Sequence, residues 1–118
     1  MRDPAIISTP GLNLHIATHA DTVVVNCRGN LTFETSDFVK REVKSRMPDK
    51  GRMVLDLSEL TRMDSSGLGA VVALYLSARN KSCDFELMNL NKQIRDLLAI
   101  SNLLSIFETV GRHGMRIP

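Results

Sequence analysis

Apolar and polar positions along the chain sort into short blocks that read alternately as strands and helices. The segments "LNLHIATHA" (residues 12–20) and "TVVVNCRG" (22–29) predict two strands joined by a tight turn at His19–Asp21. The second is rich in Val, as a buried strand should be, and Gly29 is expected to end it. Thr32 is a cap for a helix running to about Met47, with Phe38, Val39, Val43 and Met47 as its apolar stripe. Lys40, Arg41 and Lys44 point elsewhere. "PDKGR" (48–52) predicts a turn by its Pro and Gly content, and Met53–Leu57 a buried strand. From Ser66 the spacing is helical, with Leu68, Val71, Val72, Tyr75 and Arg79 at i, i+3, i+4, i+7 and i+11. "CDFELMNL" (83–90) predicts another strand. Asn91 caps a third helix whose Ile94, Leu97 and Leu98 share a face, and Leu103 and Leu104 read with Leu97 and Leu98 as core. "SIFETV" (105–110) is short enough for a last strand before the tail "GRHGMRIP".

The predicted order is ββαβαβα with a possible terminal strand. Strands that alternate with helices require crossover connections, so the fold class is α/β, a mixed sheet covered by helices. The first two strands form the antiparallel pair.

Composition narrows the function classes. At 118 residues the chain is one domain, and a hydrophobic fraction of 43% supports a globular core. The net charge of +2 and the aromatic share of 4% argue against nucleic acid as a partner. No apolar run approaches the ~20 residues of a membrane span. The start "MRDPAIISTPG", interrupted by Pro4 and Pro10, does not read as a signal peptide. A soluble cytoplasmic protein is expected. Cys27 and Cys83 sit in strand-like contexts and read as reduced, buried thiols; a disulfide would need their strands to be neighbours. His15 and His19 are four apart, but on strand and turn rather than on one helix face, so no metal site is expected, and no cofactor.

The stretch "MDSSGLG" (63–69) carries the chemistry. A serine nucleophile on an elbow needs G-x-S-x-G, and the leading glycine is absent. A phosphate loop needs G-x-x-x-x-G-K-[ST], which is absent too. Asp64 or Ser65 can cap the following helix, but a cap alone leaves Gly67 and Gly69 unexplained, since interior glycines cost about 1 kcal/mol each in a helix. Modification is the third reading: a hydroxyl at a helix start lies where unpaired amides favour an anion. Arg62 and Thr61 beside the motif read as a solvated cation and a loop hydroxyl.

"LDLSELTRMDSSGLGAVVALY" resembles the signature of the STAS domain, and within it the bacterial anti-sigma-factor antagonists. Asp56, Leu57, Ser58, Met63, Asp64, Ser65, Ser66, Gly67, Leu68 and Gly69 carry the match. It extends through "CRGNLTFETSDFVKREV" and "FELMNLNKQIRDLLAISNLLSIFETV" to cover about 12–108, leaving 1–11 and 109–118 as flanking tails of a single STAS-like domain. The resemblance implies an antagonist that, unphosphorylated, binds an anti-sigma factor with serine-kinase activity and so frees a sigma factor. The kinase would phosphorylate Ser65 and end binding, and a serine phosphatase would restore it. The chain would then be a substrate and not an enzyme. Asp64, Ser65, Ser66, Gly67, Leu68, Thr32 and Thr35 would form the docking surface. Where many members have Glu-Leu-Asp, this chain has Asn30, Leu31 and Thr32, so an acidic edge is missing while Thr35 keeps the family's threonine; the loop 30–35 is expected to tune partner choice. The second function class compatible with the resemblance is a constitutive scaffold or regulatory subunit of a transporter or sensor complex, in which the serines only cap a helix.

Overall fold

A computed structural model describes residues 4–100. Strand β1 (Ala5–Thr9) precedes β2 (Leu12–His19) and β3 (Thr22–Leu31); α1 (Phe33–Ser45) follows. Then come β4 (Arg52–Asp56), β5 (Leu60–Met63), α2 (Ser65–Asn80), β6 (Asp84–Met88) and α3 (Lys92–Ile100). The path of the sheet is β1-β2-β3-β4-β6, with β5 also pairing β3. β1, β2 and β3 are antiparallel, whereas β4 and β5 run parallel to β3, and β6 parallel to β4. The mixed α/β sheet is therefore as expected, with three described helices.

Two strands escape the hydrophobic pattern. Residues 1–11 were expected to be a flanking tail, but Ala5–Thr9 pairs with Leu12–Ile16. β1 is an edge strand with Ile6 left in solvent and Ile7 packed against the core, so its two adjacent isoleucines show no alternation of apolar and polar positions. β5 is only four residues long and buries just its two ends, Leu60 and Met63. The expected strand at 105–110, the tail and Leu103 and Leu104 lie outside the described residues.

Gly29 does not end β3; it bends it. Its φ of +121° is the left-handed region that glycine tolerates, and a side chain there would strike the Gly11 carbonyl. The ladder shifts register between Gly29 and Asn30. β3 thus pairs with β4 over Thr22–Asn26 and with β5 from Gly29 to Leu31. That bend brings Leu31 opposite Met63, so the two chain segments that start α1 and α2 emerge side by side.

Alternate strand positions feed one core: Leu14, Val25, Leu55 and Leu87 are all essentially inaccessible. Val39 and Val43 from α1, Val71 and Leu74 from α2, and Ile94 and Leu98 from α3 close over them. Phe85 at the centre meets the Tyr75 ring edge-on, with centroids 6.4 Å apart. Cys27 and Cys83 are both buried and free. β4 lies between the strand that holds Cys27 and the strand that Cys83 precedes, so the two cannot pair. No described helix is long and apolar enough to cross a membrane.

Candidate partner-docking site

The site is built where the first turns of α1 and α2 meet. Asp64 has extended backbone and caps α2, its Oδ1 accepting the Gly67 amide at 2.9 Å. Its Oδ2 accepts the amide of Phe33, the first residue of α1, at 3.1 Å. One carboxylate therefore ties both helix starts together. Loss of water around Asp64 opposes its ionisation, but the Gly67, Phe33 and Ser66 amides and the Arg62 charge outweigh it. The Asp64 carboxyl is held below the usual carboxylate range.

Ser65 is the first residue of α2 and is exposed, with Ser66 half-buried behind it. An incoming anion was expected to find unpaired amides here. Asp64 already takes the Gly67 amide, so a charge added at Ser65 meets this chain's own carboxylate instead.

The two glycines of the motif divide their roles. A side chain at Gly67 would run into the Leu31 carbonyl, so Gly67 is required for α2 to seat against the end of β3. At Gly69 a side chain would meet nothing within 4 Å. The fold has no use for that second glycine.

Thr32 and Thr35 hold the neighbouring loop rather than face solvent. The Thr35 hydroxyl accepts the Thr32 amide at 3.0 Å and donates to the Asn30 carbonyl at 2.8 Å. Thr35 is only 1% exposed, and Thr32 is buried as well. The Thr32 hydroxyl donates to the Glu34 carboxylate at 2.9 Å. Glu34 thus supplies an acid near the edge at residues 30–32, two residues after Thr32. Asn30, Glu34 and Arg62 line an open cavity of about 390 Å³ together with Pro10 and Gly11.

Of the expected docking residues, Asp64, Ser65 and Ser66 reach the surface, while Thr32, Thr35, Gly67 and Leu68 are buried beneath it. Phe33 was missed. It is 72% exposed, directly beside the Asp64 carboxylate that binds its amide. Its place at the first position of α1, outside the stripe of Phe38, Val39 and Val43, is the signal that could have found it. His15 and His19 lie on β2, with His15 opposite Asn26, and Arg62 is exposed on β5.

Comparison with known proteins bears on this geometry. The STAS domain model matches residues 13–113. The anti-sigma F factor antagonist of Paenibacillus polymyxa is 29% identical over 97 residues, spanning 80% of this chain and 83% of that protein. A crystal structure of an anti-sigma factor antagonist from Mycobacterium paratuberculosis superposes with a TM-score of 0.71 at 20% identity, covering 86% of this chain and 87% of the other. The Bacillus cell fate determinant SpoIIAA in its phosphorylated form gives 0.64 at 17% identity, covering 89% and 90%. At such identities the two superpositions speak to the fold alone, and the family match speaks to descent. The chain belongs to the STAS domain family.

Proposed function

We propose that this protein is an anti-sigma-factor antagonist controlled by phosphorylation of Ser65. The carrying observation is an exposed hydroxyl at the start of α2, next to a carboxylate kept charged by three backbone amides. In the unphosphorylated form Ser65, Ser66, Asp64 and Phe33 present a docking face to a serine-kinase anti-sigma factor in the cytoplasm. Capture of that factor frees its sigma factor. The kinase transfers a phosphoryl group from ATP to Ser65 Oγ, and a serine phosphatase removes it. All catalytic groups belong to those partners.

The switch follows from charge. A phosphoserine adds about −1.5 to −2 at neutral pH. The fold tolerates this, because Ser65 points into solvent and contributes nothing to the core. A docked partner does not, because it would have to desolvate the phosphate beside the Asp64 carboxylate, where two like charges oppose each other. Thr32, Thr35, Gly67 and Leu68 act from below, by fixing the shape of the surface. The Paenibacillus polymyxa relative, an anti-sigma F factor antagonist, supports the antagonist part of this reading.

Binding of purified kinase-type anti-sigma factors to the wild-type chain and to Ser65→Asp tests it. The proposal expects one factor to bind wild type and to lose at least about tenfold in affinity with Ser65→Asp, each tenfold being 1.4 kcal/mol. Equal binding to both would point to a constitutive docking subunit whose serines only cap α2.

A further inference from the structure

α2 carries no charged residue between Ser65 and Ala78. Leu68, Val71, Leu74 and Tyr75 face the core; Gly69 and Leu76 are exposed on the outer side, with Ala73 and Val72 half-buried beside them and Val72 also touching the core. A helix on the surface of a protein ordinarily turns a polar face outward. Here the outer face is apolar, and Leu76 is 53% exposed on it. It begins at Ser65 and continues down the helix at i, i+4, i+7 and i+11 (Ser65, Gly69, Val72, Leu76). Its upper end is the proposed phosphoacceptor Ser65, and the exposed Phe33 is tied by its amide to Asp64, the residue just before Ser65.

α1 lies alongside and supplies a border of opposite character. A groove of about 280 Å³ runs between the helices, lined by Lys40, Arg41 and Lys44 of α1 and by Ala73, Leu74 and Ser77 of α2. Asp37 is the single acid of the lining and is paired with Lys40 at 3.2 Å. Arg41 pairs with Glu42 on its own helix, and Lys44 has no ion pair among the described residues. The border is net cationic.

Resting on the antagonist reading, we infer that the docking surface extends along the outer face of α2 to Leu76, and that the bound kinase-type factor seats an apolar ridge there, flanked by carboxylates that meet Lys40 and Lys44. Charge selects this occupant over a second copy of the chain. A two-fold pairing through α2 would set the same basic border on both sides of the contact, and like charges in an interface oppose association. An acidic partner gains from the same residues. Gly69 fits the assignment: it weakens the helix, serves no contact within the chain, and lets a partner approach the backbone at the middle of the face.

The test titrates the kinase-type factor that binds wild type with Leu76→Glu, with Lys40→Glu/Lys44→Glu, and with Gly69→Ala, at low and high salt. Circular dichroism and thermal melts check the fold of each. Leu76→Glu should weaken binding about tenfold or more, as a charge placed in an apolar contact. The lysine pair should slow association several-fold at low salt, with the difference shrinking at high salt. Gly69→Ala should weaken binding while its melting temperature holds or rises. Wild-type affinity in all three, with Ser65→Asp still disrupting binding, would overturn the extended surface and leave the antagonist reading standing. A wild-type dimer that Leu76→Glu dissociates would overturn the acidic occupant in favour of a second copy. Failure of wild type to bind any kinase-type factor would overturn the antagonist reading itself.

Discussion

The Asp64 carboxylate accepts the Phe33 amide at 3.1 Å, so the cap of α2 also holds the first residue of α1. The same side chain satisfies the Gly67 amide. Two helix starts, each with orphan donors, are closed by one charged group. This places a fixed negative charge next to the hydroxyl proposed to receive a phosphate.

Replacement of Asp64 separates capping from charge. Asp64→Ala loses both bonds and should cost about 2 kcal/mol in urea unfolding, above the ~1 typical of a single cap. Asp64→Asn keeps a capping oxygen and should cost less than half of that. The difference between wild type and Asp64→Asn should also depend on pH. The Asp64 pKa is depressed in the folded state, so its stabilisation is complete above the ordinary carboxylate value near ~4 and is lost as pH falls through the lower folded value. Melts from pH 7 downward should show a constant advantage that disappears only in acid.

Gly67 and Gly69 should respond oppositely to alanine. Gly67→Ala forces a methyl against the Leu31 carbonyl and should destabilise by about 1–3 kcal/mol, the usual penalty of overpacking. Gly69→Ala enters open space on a helix and should be neutral or stabilising, by up to ~1 kcal/mol. Paired denaturation curves settle both signs.

Cys27 should be chemically silent in the native protein. Burial, with a smaller contribution from the charge of Asp56, pushes its thiol up to about 12. The thiolate is the reactive form, so iodoacetamide at neutral pH should leave Cys27 unmodified until denaturant is added. Peptide mapping before and after unfolding reads this directly.

Much of this architecture is legible in the sequence, for identifiable reasons. The stripe of Val39 and Val43 and the cap at Thr32 locate α1, and Asn91 caps α3 as its position suggests, its Oδ1 accepting the Ile94 amide at 2.9 Å. Helix signals of this kind are local. β1 is hidden because its two adjacent isoleucines, Ile6 exposed and Ile7 packed against the core, show no alternation. β5 is hidden because four residues with exposed Thr61 and Arg62 at its centre show no period of two. The site divides in the same way. Asp64, Ser65 and Ser66 stand out as a polar run before a helix, and all three reach the surface. The different roles of Gly67 and Gly69 are not legible, because they depend on a carbonyl of Leu31, 36 residues from Gly67 and delivered by the bend at Gly29. Phe33 is exposed for the same reason: its place is decided by how α1 meets α2.

The most direct test of the central claim is the intact mass of the protein after incubation with its kinase-type anti-sigma factor and ATP, for wild type, Ser65→Ala and Ser66→Ala. The account predicts one added phosphate on wild type and Ser66→Ala, none on Ser65→Ala, and loss of complex in step with the mass gain. Phosphate retained on Ser65→Ala, or a complex that persists after full modification, would contradict it.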